Sequence, residues 1–218
     1  WFMPFVSESD RILKDTGSFI LNVNDKVVDG FRHLFVFELV LKICKQTNLK
    51  LFERLFWNKM HFLPNRSRFG DVAEYIFWFT KTKDFKFYID RMRVPYADNS
   101  IKRYKNPSLK RFARDKNNNF IKEYKYVELN SNGALPKTII NISAETKKIS
   151  NNHFAIYPYK FAEYFILGST DENDLVLDPF SGSGTTCLAA KNNDRKYIGI
   201  DISELYIKES IERLINNG

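Results

Sequence analysis

Cysteine is scarce in this chain, with only Cys44 and Cys187 among 218 residues. Two cysteines cannot form a disulfide framework, and this usage is typical of a reducing compartment, so we expect a cytoplasmic location. Histidine is also rare: His33, His61 and His153 are the only three. Together with the cysteines they show no ligand spacing, so no metal site is predicted.

Long hydrophobic runs are lacking as well. The most apolar candidate, residues 33–44, contains Glu38 and Lys42. Since a spanning helix needs about 20 predominantly apolar residues, the pattern excludes a transmembrane segment. The chain opens with Trp1-Phe2-Met3 inside a helical pattern. We therefore expect the natural protein to extend further upstream.

Positive charge is concentrated in one stretch. Residues 83–129 hold 13 Lys or Arg against 6 acids, which is +7 of the net +8 of the chain. Tyrosines and phenylalanines are interleaved with these cations, and long apolar periodicity is absent. The pattern predicts an insertion that leaves the core and binds the phosphates of a nucleic acid. A solvated basic surface without a partner is the alternative.

Hydrophobic periodicity predicts the elements of the first part of the chain. A helix is expected over residues 1–14 and a buried strand over Ser18–Val23. A helix over Phe31–Gln46 would cover one face of a sheet. Strands over Leu49–Trp57 and Ala73–Thr80 would form a hairpin at one edge of that sheet. Further along, a short strand over 137–143 and a helix over 161–167 are predicted.

Residues 175–201 are the most informative stretch. An apolar strand ends at Asp178, a loop of small residues leads into a helix, and a second apolar strand ends at Asp201. Gly182 and Gly184 let backbone approach a ligand closely, and an acid at the second strand end can accept bonds from a ribose diol. The layout predicts a nucleotide-type site. An ordinary βαβ unit and a nicotinamide dehydrogenase are the alternatives.

The loop itself reads Asp178-Pro179-Phe180-Ser181-Gly182-Ser183-Gly184-Thr185-Thr186. It resembles the cofactor motif of the amino-group DNA methyltransferases, which use S-adenosylmethionine to methylate cytosine N4 or adenine N6. Because the basic insertion precedes the loop, the order of segments resembles the β-class. A general likeness of residues 18–24 and 56–79 to cytosine-N4 enzymes slightly favours cytosine.

The resemblance implies an α/β, Rossmann-like methyltransferase fold: a mixed twisted sheet with helices on both faces, circularly permuted, plus a small basic DNA-recognition insertion. It divides the chain into a first core part, 1–82, a target-recognition insertion, 83–150, and a cofactor-binding part, 151–218. The partner would be double-stranded DNA, with RNA as the alternative. A restriction endonuclease of the same system is a candidate partner.

A second segment, around His153 and Tyr157-Pro158, loosely matches a family segment that helps to hold the methionine end of the cofactor. His153 itself is expected to be structural. The predicted cofactor-binding residues come from this segment, the loop and the second strand end: Phe154, Tyr157, Pro158, Asp178, Pro179, Phe180, Ser181, Gly182, Ser183, Gly184, Thr185, Thr186, Asp201 and Ile202.

The predicted DNA-binding residues are cations of the insertion and of the basic stretch between the two hairpin strands, which in the family often borders the DNA. They are Lys59, Arg66, Arg68, Arg93, Lys102, Arg103, Lys105, Lys110 and Arg111.

The catalytic motif of the family, Asp-Pro-Pro-Tyr or Ser-Pro-Pro-Tyr, is not in this chain. No two of its seven prolines are adjacent. In the β-class this motif comes first, so we expect it upstream of Trp1. If it is absent from the protein, the chain binds cofactor and DNA without transferring a methyl group.

Overall fold

The computed structural model describes residues 1–60, 68–105, 108–125, 128–144 and 157–216. The chain forms two compact units, residues 1–88 with 137–218, and residues 89–136. The predicted insertion had wider bounds, 83 and 150. None of the helices in the described ranges is long and apolar enough to span a bilayer.

The first unit contains five helices and eight strands among its described residues. In chain order they are α1 (Met3–Ile12), β1 (Ser18–Val23), β2 (Val27–Val28), β3 (Phe31–Arg32), α2 (Phe35–Gln46), β4 (Lys50–Asn58), β5 (Ala73–Thr80), β8 (Ile139–Asn141), α4 (Tyr159–Ser169), β9 (Leu175–Asp178), α5 (Thr185–Asn192), β10 (Lys196–Gly199) and α6 (Glu204–Asn216). The second unit has a short 3-10 helix (Ile89–Met92), α3 (Asp98–Lys105) and the antiparallel pair β6 (Ser108–Arg114) and β7 (Phe120–Lys125).

Four of the described strands form a mixed sheet in the order β1-β5-β4-β8, and β9 pairs in parallel with β10 in a separate two-stranded sheet. The predicted strand over Ala73–Thr80 is confirmed, and the short strand predicted over 137–143 is confirmed as β8. The hairpin of β4 and β5 is not at an edge, because β1 pairs with β5 and β8 pairs in parallel with β4. The edge prediction was therefore wrong.

Helices cover both faces of the four-stranded sheet, as predicted. Successive side chains of a strand point to opposite faces. Phe77 and Phe79 pack with Val6 of α1 and Val36 of α2 in one buried cluster. Trp78 faces the other way, and its ring lies 5.9 Å from that of Phe165 in α4. Burying one such side chain contributes roughly 1.5–3 kcal/mol, so this packing fixes the layers.

Two expectations for this sheet need correction. The helix expected over Phe31–Gln46 begins only at Phe35, since Phe31–Arg32 pairs with Val27–Val28 in a tight hairpin. Asp29 and Gly30 form its turn with φ of 49° and 83°, the positive values that two-residue hairpin turns require. The strand Ser18–Val23 is half-buried along its whole length, not buried.

Helix α1 runs along the first unit from one end of its strands to the other. The end at which α1 begins is here called the upper edge and the end at which it finishes the lower edge; both lie at strand ends and are not the outer strands of a sheet. Its C-terminal end lies at the lower edge, where Lys81 Nζ donates to the Leu13 carbonyl at 2.7 Å and Lys86 N donates to the Thr16 carbonyl at 2.9 Å. Lys86 also pairs with Asp174, directly before β9. Strands β1 and β9 therefore both start at the lower edge, and both run to the upper edge, where α1 begins.

Candidate functional site

The loop between β9 and α5 lies at the upper edge and is fastened to the end of β10. Ser181 N donates to the Ile200 carbonyl at 2.9 Å, and Ile200 N donates to the Asp178 carbonyl at 2.9 Å. These bonds continue the parallel pairing of the two strands. They hold the loop and the acid that follows β10 next to each other.

Two glycines give the loop its path. Gly182 and Gly184 have φ of 50° and 78°, in the left-handed region that side chains rarely adopt. Gly184 is also the residue that caps the start of α5. A Cβ there would lie 2.1 Å from Ser210 Oγ, so α6 packs directly on the backbone of the loop.

Asp178 is the centre of a hydrogen-bond network. Its Oδ1 accepts from Phe180 N at 3.0 Å, and its Oδ2 accepts from the Tyr157 hydroxyl at 3.0 Å and from Thr186 Oγ1. The Tyr157 hydroxyl also contacts Thr186 Oγ1. Burial, and next the Asp178 charge, raise the pKa of Tyr157 far above its ordinary value. The phenol therefore stays neutral and donates a hydrogen bond to the carboxylate.

Asp201 follows β10 and faces the loop. Its Oδ2 accepts from Gly182 N at 2.8 Å, and its Oδ1 accepts from Ser203 N at 2.9 Å. A carboxylate has about four acceptor positions, so about two stay available for another donor. The side chain is half-buried, which leaves those positions within reach of a bound molecule.

Two apolar residues beside these acids are open to solvent. Ile202 is fully exposed, and Phe180 is about half exposed. The Phe180 ring lies 5.0 Å from that of Phe5 and 6.0 Å from that of Phe2, and Trp1 lies 6.3 Å away. The start of α1 therefore forms an aromatic wall next to the loop.

The remaining small residues of the loop have structural partners. Ser181, Ser183 and Thr185 are all buried. Ser181 Oγ contacts Cys187 Sγ at 3.6 Å, and a Cβ at Gly199 would come within 2.6 Å of that Oγ. Burial raises the pKa of the Cys187 thiol, so this cysteine is a packing residue. Cys44 is exposed, and both cysteines are free.

Two residues of α6 that the sequence pattern did not single out support the loop. Ser210 packs on Gly184, and Arg213 Nη1 donates to Thr185 Oγ1 at 2.9 Å and toward the Ser183 carbonyl at 3.4 Å. On α6 the apolar Ile211 is exposed and the polar Ser210 is buried, so apolar periodicity gives no signal for the residues that support the loop. Their i, i+3 spacing places Ser210 and Arg213 on one face of the helix, but it does not identify the element on which that face packs.

Two of the other predicted cofactor residues, Pro158 and Pro179, are described by the structure. Pro158 is buried and is the N-cap of α4, which begins at Tyr159, two residues before the predicted start. Pro179 is half-buried within the loop. Phe154 lies outside the described residues. Ser203 caps the start of α6, because its Oγ accepts from Tyr206 N at 3.4 Å.

Several cations predicted to bind DNA have partners within the protein. Lys59 pairs with Glu74 at 2.9 Å, and Arg68 donates to the Gly30 carbonyl. Arg93 pairs with Asp90 and also donates to a backbone carbonyl of its own unit. Lys102 is exposed on α3. Arg66 lies outside the described residues, as do the side chains of Arg103, Lys105, Lys110 and Arg111.

The chain is similar to known DNA methyltransferases over nearly its whole length. It is 30% identical to the type II methyltransferase M.BglII of Bacillus subtilis over 95% of the chain and 54% of that protein. It is 26% identical to M.PvuII of Proteus hauseri over 100% of the chain and 70% of that protein. The chain thus spans about half the length of one of these relatives and more than two thirds of the other.

Solved structures show the same fold. The PvuII DNA methyltransferase, described as cytosine-N4-specific, matches 100% of the chain and 74% of its own with a TM-score of 0.72 and 21% identity. M1.HpyAVI, solved as a complex with SAM, matches 97% of the chain and 81% of its own with a TM-score of 0.63 and 20% identity. A family model described as DNA methylase, for the N6 and N4 methyltransferases, matches residues 1–212. With a match of that extent, the chain belongs to the N6/N4 DNA methylase family.

Proposed function

We propose that this protein is a DNA methyltransferase that transfers a methyl group from S-adenosylmethionine to an exocyclic amino group of a flipped base. The observation that carries the proposal is the glycine loop between Asp178 and Asp201, in a chain of the N6/N4 DNA methylase family. The loop lies at the carboxyl end of a parallel strand, where α/β proteins bind their ligands.

The residues of the loop fit this cofactor. Asp201 has acceptor positions left for the hydroxyls of a ribose, next to the exposed side chain of Ile202. Gly182 leaves room for a ligand against the backbone, whereas Gly184 packs on Ser210 and supports the loop from the other side. Phe180 offers a half-exposed aromatic surface, and M1.HpyAVI, which shares the fold, was solved with SAM. When bound, S-adenosylmethionine supplies an electrophilic methyl group on a sulfonium.

The chain's own residues orient the cofactor loop and enclose the site of the reaction. Asp178 fixes the start of the loop through Phe180 N, and the neutral Tyr157 hydroxyl holds the Asp178 carboxylate. Pro158 starts the helix that follows Tyr157, and Phe154 is assigned to the methionine end from the family resemblance. The apolar wall of Trp1, Phe2 and Phe5 beside Phe180 would limit the access of water to the reacting atoms.

The acceptor for the amino group is proposed to come from a Pro-Pro motif that precedes Trp1 in the whole protein. An exocyclic amino nitrogen is a poor nucleophile, because its lone pair is conjugated with the ring, and it needs hydrogen-bond acceptors while it attacks. Two observations support this location. The Trp1 ring is next to Phe180, so residues joined to Trp1 would lie beside the glycine loop. Among the described residues, β1 pairs only with β5 and β9 only with β10, so each of these two strands has one side at which a further strand could pair.

Cytosine N4 is the proposed target, with adenine N6 as the alternative. M.PvuII, which is 26% identical over the whole chain, belongs to the cytosine-N4-specific enzymes by the description of its structure. The substrate is proposed to be double-stranded DNA, bound through the basic residues 83–129. Lys102 is exposed there. Since M.BglII and M.PvuII are type II methyltransferases, a restriction endonuclease of the same system is the proposed partner.

Replacing Asp201 by alanine is expected to weaken S-adenosylmethionine binding by about 10- to 100-fold, the range for hydrogen bonds to a charged group. Isothermal calorimetry measures the change. Asp194→Asn, at an exposed acid in the turn before β10, is the matched control and should bind like the wild type. An unchanged affinity in Asp201→Ala, with the protein folded, would refute the ribose role of this acid.

A second candidate is a catalytically inactive DNA-binding protein, which is favoured by the absence of adjacent prolines in this chain. An assay of methyl transfer decides between the two. Purified full-length protein is incubated with tritiated S-adenosylmethionine and unmethylated DNA. We expect tritium in the DNA, in N4-methylcytosine after nucleoside analysis. Cofactor and DNA binding without any incorporation would support the inactive protein instead.

A further inference from the structure

Two exposed segments lie side by side at the upper edge of the first unit. One is the hairpin β2–β3, and the other is residues 68–72, which lead into β5. Arg32 Nη1 bonds Asp25 and reaches Asp71 Oδ2 at 3.3 Å, while Arg68 donates to the Gly30 carbonyl. Two of these bonds, from Arg32 to Asp71 and from Arg68 to Gly30, hold the two segments together as one surface, here called the upper-edge surface.

This surface exposes two phenylalanines. Phe31 is 79% exposed in the hairpin, and Phe69 is 98% exposed in the neighbouring segment. Val27 and Val28 of the hairpin are also exposed. Isolated exposed apolar residues need no explanation, but two exposed rings on segments joined by two hydrogen bonds indicate a binding surface.

The surface shares its edge with the glycine loop. Strand β1 starts at the lower edge. Ser18 pairs there with Thr80, and Lys86 N, six residues further along, bonds the Thr16 carbonyl. It ends at Val23, directly before the hairpin. Asn22 Nδ2 bonds the Tyr75 carbonyl near the start of β5. The start of α1, which contacts Phe180, is at this same upper edge.

We propose that Phe31 and Phe69 form a wedge that inserts into the DNA and stacks on bases exposed when the target base is flipped. This inference rests on the proposed function. A base that leaves the duplex unstacks its neighbours, and filling the gap with an apolar side chain recovers part of that cost. The guanidinium groups of Arg32 and Arg68 are bonded within the surface, so the position of the surface, at the same edge as the glycine loop, is what favours DNA as its partner.

The test needs no knowledge of the recognised sequence. Fluorescence anisotropy compares binding of the full chain to two short duplexes, one intact and one with a central abasic site. The abasic site already lacks a base, so it contains the gap in the stack that base flipping would otherwise have to open. The wild type is expected to bind the abasic duplex about fivefold more tightly or better, the lower end of the range for one stacked base. Phe31→Ala and Phe69→Ala should lower this ratio toward one.

Ile12→Ala is the matched control, because Ile12 is an exposed apolar residue at the lower end of α1. It should keep the wild-type ratio. All three variants should keep the wild-type salt dependence of intact-duplex binding, which reports phosphate contacts. A 2-aminopurine beside the abasic site should be quenched by the wild type and less by Phe31→Ala.

Three other outcomes would overturn the wedge. If the wild type binds both duplexes equally, or the two Phe variants keep the wild-type ratio, the wedge is overturned and the proposed function stands. If neither duplex is bound, both the wedge and DNA as the substrate are overturned. If light scattering shows that Phe31→Ala converts a dimer into a monomer without changing the ratio, the ring contacts a second copy of the chain, which also overturns the wedge.

Discussion

Asp178→Ala is expected to lose about 3 kcal/mol of unfolding free energy and to abolish measurable S-adenosylmethionine binding. The carboxylate accepts from Phe180 N, the Tyr157 hydroxyl and Thr186 Oγ1. Its removal leaves at least two of these donors without an acceptor, because only one of the two hydroxyls can donate to the other. A buried polar group left unsatisfied costs roughly 1–3 kcal/mol. At about 2–4 °C per kcal/mol for a chain of this size, the melting temperature should fall by roughly 6–12 °C.

Differential scanning fluorimetry with and without S-adenosylmethionine checks both parts of this expectation. Asp178→Asn is the informative second variant, because an amide oxygen can still accept from Phe180 N while the two hydroxyls turn to accept from its NH2 group. It should lose less stability than Asp178→Ala. A melting temperature of Asp178→Ala within a degree or so of the wild type would contradict the central role of this carboxylate.

The sequence was sufficient for the elements whose pattern is local. Strand β5 has the predicted bounds, since a strongly apolar run between polar segments leaves little choice. The loop after Asp178 was also predictable, because strand, glycines and following acid each have a local sequence signal. The hairpin β2–β3 had such a signal in Asp29-Gly30, but the apolar residues after it fit a helix as well and extended the predicted α2 too far.

The features that could not be predicted depend on contacts between distant residues. Ser181 and Thr185 look like ligand-binding hydroxyls in the sequence, yet α5 and α6 bury them, and Thr185 accepts from Arg213. The position of β4 and β5 within the sheet depends on β8, which is more than 50 residues further along the chain. Periodicity describes one element at a time and cannot determine which strand occupies an edge.

Gly184→Ala is expected to destabilise the protein by about 2–4 kcal/mol, from two separable causes. A residue other than glycine in the left-handed region costs about 1 kcal/mol, and overpacking adds about 1–3 kcal/mol. The new Cβ would lie 2.1 Å from Ser210 Oγ and 3.0 Å from Ser210 Cβ. Urea denaturation measures the total.

Gly30→Ala separates the two causes. Gly30 has a φ of 83°, close to the 78° of Gly184, but a Cβ there would meet no atom within 4 Å. It should therefore cost only the backbone strain, about 1 kcal/mol. The excess loss in Gly184→Ala then measures the collision with Ser210. Removing Oγ by Ser210→Ala should recover part of that excess in the double variant, because the two residues are in contact. Strictly additive losses would instead show that α6 moves away from the loop freely, and that Ser210 does not fix the backbone on which the cofactor is proposed to lie.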